Sequence, residues 1–205
     1  MNQVNTTMLS IANLSAGYGK LTILTDISLA VDEAQFVAIL GPNGSGKSTL
    51  LKSIYGFTNI FAGDICFQDE SLIGVATDMV GRRGLAYVPQ RENVFTSMTV
   101  SDNLRLPVRK LDKHDVQIAL SEAFDLFPIL NSRQHQRAGQ LSGGERQMLA
   151  IAMGWLARPK LMLLDEPSAG LSPLFVTEVF KTLQMLSRSG ITLLVVEQNA
   201  RSVLR

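Results

Sequence analysis

Apolar positions along this chain fall into runs of contrasting texture. Residues 9–14 and 23–31 alternate apolar with polar side chains, the period-two pattern of strands with one wet face, and are expected on the edge of an antiparallel layer. Phe36-Val37-Ala38-Ile39-Leu40 is instead continuous and stopped by Gly41-Pro42, which predicts a strand buried on both faces. Residues 47–55 carry Leu50, Leu51 and Ile54 at helical spacing, and strand-like runs return at 63–67 and 85–88. From 91 to 137 the texture turns helical, most clearly over 116–127, where Ile118, Leu120, Ala123, Phe124 and Phe127 predict one apolar face. A third helix is predicted over 143–156, with Met148, Ile151, Ala152 and Trp155 toward a core. Residues 161–164 and 191–196 are again unbroken apolar runs, with a helix from Pro173 to about Ser187 between them.

Strand–helix–strand alternation predicts a parallel α/β core with right-handed crossovers, preceded by an antiparallel layer and interrupted by a helical insert. At 205 residues the chain is long enough for one domain with a substantial core. Residues 1–90 and 159–205 are expected to form the core and β layer, and 91–158 the helical subdomain. There are no repeats and no low-complexity linkers. The 46% apolar composition indicates a well-buried globule, and a formal charge of +1 gives no electrostatic case for nucleic acid. A single cysteine, Cys66, excludes an internal disulfide and fits a reducing compartment. Residues 1–7 are polar and lack a basic, then apolar, leader. No run approaches the roughly 20 apolar residues needed to span a bilayer. The expectation is a cytosolic protein that meets a membrane only through a partner.

The densest chemistry lies in Gly41-Pro42-Asn43-Gly44-Ser45-Gly46-Lys47-Ser48-Thr49, of the form G-x-x-x-x-G-K-[ST]. Its glycines let successive backbone N–H groups turn toward one point at a helix N-terminus, an arrangement that holds phosphate. Lys47 adds a full positive charge for the outer phosphates, and Ser48 an oxygen ligand for Mg²⁺. The run 161–164 ends in Asp165-Glu166, and two acids after a buried strand are costly unless they meet a cation or water at the sheet edge. Asp165 suits Mg²⁺, directly or through its water or Ser48, and Glu166 suits a general base for an attacking water. Leu141-Ser142-Gly143-Gly144-Glu145 opens the helix at 143 and offers a second Gly-rich N-terminus. Gln90, after the 85–88 run and Pro89, carries a neutral amide able to reach a metal or water; alone it reads equally well as a surface turn. Tyr18, between Gly17 and Gly19, could stack on an adenine, although by itself it reads more simply as a turn residue.

Residues 41–49, Gln90, 141–145 and 161–166, in that order, resemble the phosphate loop (Walker A), Q-loop, signature sequence and Walker B strand of the ATP-binding cassette (ABC) ATPases. The resemblance runs from Leu9 to Arg205. It implies an α/β P-loop NTPase core with a mostly parallel sheet, an N-terminal antiparallel β layer and an inserted helical subdomain. It also implies ATP and Mg²⁺ as ligands, and a head-to-tail dimer in which Ser142, Gly143, Gly144 and Glu145 of one subunit close over the γ-phosphate held by the other. Under it Tyr18 becomes an adenine-stacking residue.

Within the family the chain is most similar to the branched-chain amino acid importer ATPases of the LivF type. The similarity is carried by Tyr87-Val88-Pro89-Gln90, Val94-Phe95-Thr96-Ser97-Met98-Thr99-Val100, Phe127-Pro128-Ile129-Leu130, Gln147-Met148-Leu149-Ala150-Ile151-Ala152 and Val196-Glu197-Gln198-Asn199-Ala200. Urea, amide and lipopolysaccharide transporters share parts of these stretches. The resemblance implies two transmembrane permease subunits, a sister ATPase in a homodimer or heterodimer, and indirectly an extracytoplasmic solute-binding protein. The protein would then be cytoplasmic and peripheral on the inner face of the cell membrane. Residues 91–99, with Val94 and Phe95, are the expected contact with a membrane subunit, a buried contact with the helical subdomain being the equal alternative.

Two features depart from the family pattern. Many relatives carry a histidine where this chain has Gln198, which can donate to a γ-phosphate oxygen but cannot take a proton. The two histidines, His114 and His135, are expected on the surface. Ser172 stands where an aspartate is common, which bears on contacts across the dimer. The sequence also stops at Arg205, where relatives continue, so a truncated covering layer is expected to expose Val203 and Leu204. The leading expectation is the ATP-hydrolysing subunit of an importer; a soluble non-transport ABC ATPase and a non-hydrolysing nucleotide-binding subunit are the alternatives.

Overall fold

The computed structural model describes residues 6–199. Ala200, Val203, Leu204 and Arg205, which enter the expectations above, lie outside the described residues. Two four-stranded sheets share the core. The first is antiparallel, in the order β2-β1-β4-β5, from β1 (Thr7–Tyr18), β2 (Leu21–Asp32), β4 (Asn59–Phe67) and β5 (Glu70–Ser71). The second is parallel, in the order β3-β8-β7-β6, from β3 (Phe36–Leu40), β6 (Leu85–Val88), β7 (Leu161–Asp165) and β8 (Thr192–Glu197). Helix α1 (Lys47–Ile54) follows β3, and α2 (Thr77–Arg82) precedes β6. The helical stretch holds α3 (Val100–Val108), α4 (Lys113–Leu126), α5 (Pro128–Asn131) and α6 (Gly143–Leu156), and α7 (Pro173–Arg188) joins β7 to β8.

The unbroken apolar runs are explained by what lies on each side of the parallel sheet. Successive strand residues face opposite ways. Met162 and Leu164 of β7 and Leu193 and Val195 of β8 join the cluster of α3, α4, α6 and α7. Leu161, Leu163, Leu194 and Val196 join the opposite cluster, with α1 and the antiparallel sheet. All six residues of β8 are buried. Each such aliphatic side chain contributes about 1.5–3 kcal/mol relative to exposure.

Three expectations are corrected. The run at 36–40 is a half-buried strand rather than one closed on both faces: β3 is bonded only to β8, and Leu40 is 44% exposed. Its apolar character instead serves a groove of 440 Å³ against β2, lined by Leu24, Ile27, Leu29, Ile39 and Leu40. β1 is not at an edge but lies between β2 and β4, because the segment from Asn59 returns to the antiparallel layer after α1. Ile118 is exposed although it sits at helical spacing, since α4 buries only Ala119, Leu120 and Ala123.

Candidate active site

Parallel pairing brings the C-terminal ends of all four core strands to one edge. Val88 is level with Leu164, Asp165 with Val196, and Leu40 with Glu197. The residues just past those ends are the phosphate loop, Gln90, Glu166 and Gln198, so register alone gathers most of the expected site. Open α/β sheets bind ligands at this edge.

The phosphate loop leaves β3 with the Gly41 amide donating to the Glu197 carbonyl at 3.2 Å. Gly46 is the N-cap of α1 at φ 90°, and a Cβ there would meet Leu24 Cδ2 at 2.7 Å, so only glycine fits between this turn and β2. No side chain caps α1, which leaves its first backbone N–H groups for an outside acceptor. Pro42, Asn43, Gly44 and Ser45 form the exposed lip, while Lys47 and Thr49 are buried beneath it. Lys47 Nζ donates to the carbonyls of Gly41 and Pro42 at 2.9 and 3.0 Å and pairs with Glu166 Oε1 at 3.3 Å.

Ser48 Oγ donates to Asp165 Oδ1 at 2.7 Å, and Tyr87 Oη donates to Asp165 Oδ2 at 3.1 Å. Burial pushes the Tyr87 hydroxyl far above its usual range, reinforced by the Asp165 charge, so it serves as a neutral donor. Gln90 Nε2 donates to Glu166 Oε2 at 2.8 Å. Lys47, Ser48, Asp165, Glu166, Gln90 and Tyr87 are thus linked in two short chains at one sheet edge. Hydroxyl and carboxylate oxygens are the hard ligands Mg²⁺ takes when nucleotide phosphates supply others, and the Ser48–Asp165 pair has that character. The acids do not cap the following helix, whose N-cap is Ser172; that serine makes no capping hydrogen bond.

Gln198 is exposed at the same edge, directly after Glu197. Tyr18, 43% exposed, ends β1 two residues beyond the Ala16–Leu24 pair, and Leu24 is the side chain that abuts Gly46. His114 and His135 are exposed, as expected.

The second Gly-rich terminus is built differently. Ser142 and Glu145 close a capping box, Ser142 Oγ accepting from the Glu145 amide at 3.2 Å and Glu145 accepting from the Ser142 amide at 2.8 Å. Burial pushes the Glu145 carboxyl up, but the Ser142 hydrogen bonds and Arg133 prevail and hold it below its usual range. The amides of Gly143 and Gly144, in the first turn, have no acceptor within the helix; Gly143 is exposed and Gly144 is buried. A Cβ on Gly144 would meet Phe175 Cγ of α7 at 2.1 Å, so packing against α7 demands the second glycine. Among the described residues, no hydrogen bond or ion pair joins Ser142, Gly143, Gly144 or Glu145 to the phosphate loop.

Sequence reasoning did not assign Tyr87 or Glu197 to the site. Tyr87 carried no signal beyond a polar aromatic inside a buried strand. Glu197 carried the same signal as Asp165-Glu166, an acid ending an unbroken apolar run. It is buried, its Oε1 accepts the Ser168 amide at 2.9 Å, and burial pushes its carboxyl up against the opposing pull of the Ser168 and Gln198 donors. Among the described residues no helix is long and apolar enough to cross a membrane.

Comparison with known proteins fits this geometry. Residues 24–169 match the family described as ABC transporter. The high-affinity branched-chain amino acid transport ATP-binding protein BraG of Pseudomonas aeruginosa is 41% identical over 97% of this chain and 85% of its own length. The probable branched-chain amino acid transport ATP-binding protein LivF of Archaeoglobus fulgidus is 39% identical over 96% and 84%. Among solved structures, a nucleotide-free ATP-binding cassette from an ABC transporter superimposes with a TM-score of 0.86 at 26% identity, over 97% of this chain and 84% of the other. The family match over residues 24–169, together with relatives 41% and 39% identical over nearly the whole chain, shows that the chain belongs to the ATP-binding cassettes of ABC transporters and is an ATPase.

Proposed function

We propose that this protein is the ATP-hydrolysing subunit of an importer for branched-chain amino acids or similar small polar solutes, and that two copies, or one copy and a sister ATPase, close around each nucleotide. The observation that carries the reading is a second Gly-rich helix terminus that is not bonded to the first. The phosphate loop, Gln90, Asp165 and Glu166 converge at one sheet edge, whereas among the described residues no hydrogen bond or ion pair joins the helix terminus at exposed Gly143 to that edge. Both helix N-termini suit phosphate, each worth about 0.3–2 kcal/mol, and a second subunit can bring the second one to the γ-phosphate.

In this reading Lys47 and the amides of the loop hold the β- and γ-phosphates, and Tyr18 stacks on the adenine. Ser48, Asp165 and Gln90 hold Mg²⁺, which when bound neutralises charge on the phosphates. Glu166 takes the proton of the attacking water, and Gln198 donates to a γ-phosphate oxygen. Phe95 supports a membrane partner at the loop after β6: it is 56% exposed, and its backbone is clamped by buried Asn103, which donates to its carbonyl at 3.0 Å and accepts from its amide at 2.8 Å. Val94, by contrast, packs against the helical core. The partners are two permease subunits on the inner face of the membrane, fed by an extracytoplasmic solute-binding protein, and the ATPase itself is cytoplasmic. The names of the two relatives support the solute class.

Sedimentation of Glu166→Gln with MgATP tests the two-subunit site: dimers are expected with ATP and monomers without it. Monomers at saturating ATP reject that part of the reading, unless a sister ATPase restores the complex. Uptake of labelled leucine by cells relying on this chain for the ATPase tests the solute.

A further inference from the structure

Adjacent acids at the end of a strand ought to point to opposite faces of the sheet. Here they do not: Asp165 reaches Ser48 and Glu166 reaches Lys47, two consecutive residues at the start of one helix. The alternation is broken by Glu166 itself, which adopts φ 46°. A non-glycine residue in the left-handed region is strained and persists only where its surroundings over-determine it.

Three hydrogen bonds surround that conformation. The Glu166 amide donates to the Val196 carbonyl at 2.9 Å, and the Ala169 amide donates to the Glu166 carbonyl at 3.1 Å. The third runs from the Ser168 amide to Glu197 Oε1 at 2.9 Å. Two of the three acceptors are therefore the last two residues of β8. Glu197 is 2% exposed, so the acceptor it offers is shielded from competing water. Its backbone carbonyl meanwhile accepts from the Gly41 amide at 3.2 Å. One residue thus fastens the first residue of the phosphate loop and the turn that follows Glu166. That turn continues to Leu171, whose side chain lies 3.7 Å from where a Gly143 Cβ would stand.

We propose that Glu197 is a positioning residue for ATP hydrolysis: by accepting the Ser168 amide it keeps Glu166 left-handed and its carboxylate turned toward the phosphate loop. The proposal rests on the reading of Glu166 as general base. What it requires of Glu197 is an acceptor oxygen rather than a charge, and this makes it testable by a pair of variants.

Steady-state ATPase assays of Glu197→Leu and Glu197→Gln provide the test. The leucine variant is expected to lose about 10- to 100-fold in kcat, the scale of a misplaced catalytic group, with KM for ATP within about threefold. The glutamine variant, which keeps an acceptor for Ser168, is expected within about threefold of wild type in both constants. Wild-type kcat in the leucine variant overturns the proposal, as does a glutamine variant as slow as the leucine one. A parallel loss of ATP binding in the leucine variant also overturns it, since that is a failure of the scaffold. Should the leucine variant not fold, amide exchange at Ser168 of the wild-type protein decides: slow exchange is expected, and exchange at the solvent rate overturns the proposal. Glu166→Gln assayed alongside separates the two readings: if it hydrolyses normally, the general-base assignment has failed, whatever Glu197 does.

Discussion

Lys47 and Glu166 meet at 3.3 Å, Nζ to Oε1, with both side chains largely withdrawn from water. The ammonium suited to a phosphate and the carboxylate suited to a proton from water neutralise each other. The remaining Lys47 donors go to the carbonyls of Gly41 and Pro42. A phosphate entering the loop must compete with Glu166 for the ammonium, and that competition makes binding and hydrolysis separable by mutation.

Glu166→Gln removes the competing charge and the proton acceptor in one step. ATP affinity is expected to hold or to tighten, because Lys47 is freed for phosphate. Turnover is expected to fall by about 10²–10⁴-fold, the usual worth of a general base. Nucleotide titration and phosphate-release assays on one preparation check both. Turnover at the wild-type rate would reject the role given to Glu166.

Lys47→Ala should act on the other side of the balance. It removes a charge-assisted contact of about 1.5–3 kcal/mol, so ATP affinity should drop by about 10- to 100-fold. It also leaves Glu166 with Gln90 as its partner at 2.8 Å. Calorimetric titration with ATP measures the loss, and an unchanged Kd would mean that Lys47 serves only to pair with Glu166.

Tyr87→Phe tests whether Asp165 depends on both hydroxyl donors. Asp165 is buried, with Ser48 on one oxygen at 2.7 Å and Tyr87 on the other at 3.1 Å. Removing one donor from a buried carboxylate is expected to cost about 1–3 kcal/mol, or several degrees in Tm for a chain of this size. The Mg²⁺ concentration for half-maximal ATPase should rise as the carboxylate loses its fixed orientation. Thermal melts and a Mg²⁺ titration give the two readings. No change in either would leave Tyr87 as a core aromatic packed on Tyr55 and Phe57.

What the sequence made legible is what its local chemistry determines. The glycines and Lys47 of the phosphate loop are readable because the turn and the anion site are made by neighbours in the chain. The bounds of α6, Gly143–Leu156, came through because Ser142 and Glu145 cap it locally. Pairing was not legible: Phe36–Leu40 has the same texture as Leu161–Asp165, yet one strand is at an edge and the other between two partners. Tyr87 and Glu197 belong to the site only through the register that sets Val88 beside Leu164 and Leu40 beside Glu197. The left-handed turn at Glu166 has no glycine to announce it, since tertiary hydrogen bonds rather than residue type hold it there.

Gly144 offers the sharpest separation of packing from phosphate chemistry. It lies buried in the first turn of α6, and a Cβ there would stand 2.1 Å from Phe175 Cγ. Gly144→Ala is therefore expected to destabilise the fold by about 1–3 kcal/mol through overpacking between α6 and α7, even though alanine is the better helix former. Phe175→Leu in the same chain should recover most of that loss, because it removes the ring the new methyl would strike. Denaturant unfolding of the two single variants and the double variant gives the coupling energy directly. If the double variant recovers stability but not ATP-dependent dimerisation, Gly144 is needed for its approach to phosphate as well as for its packing. If the alanine variant is as stable as wild type with Phe175 in place, the close approach of α7 to the signature helix does not constrain this position.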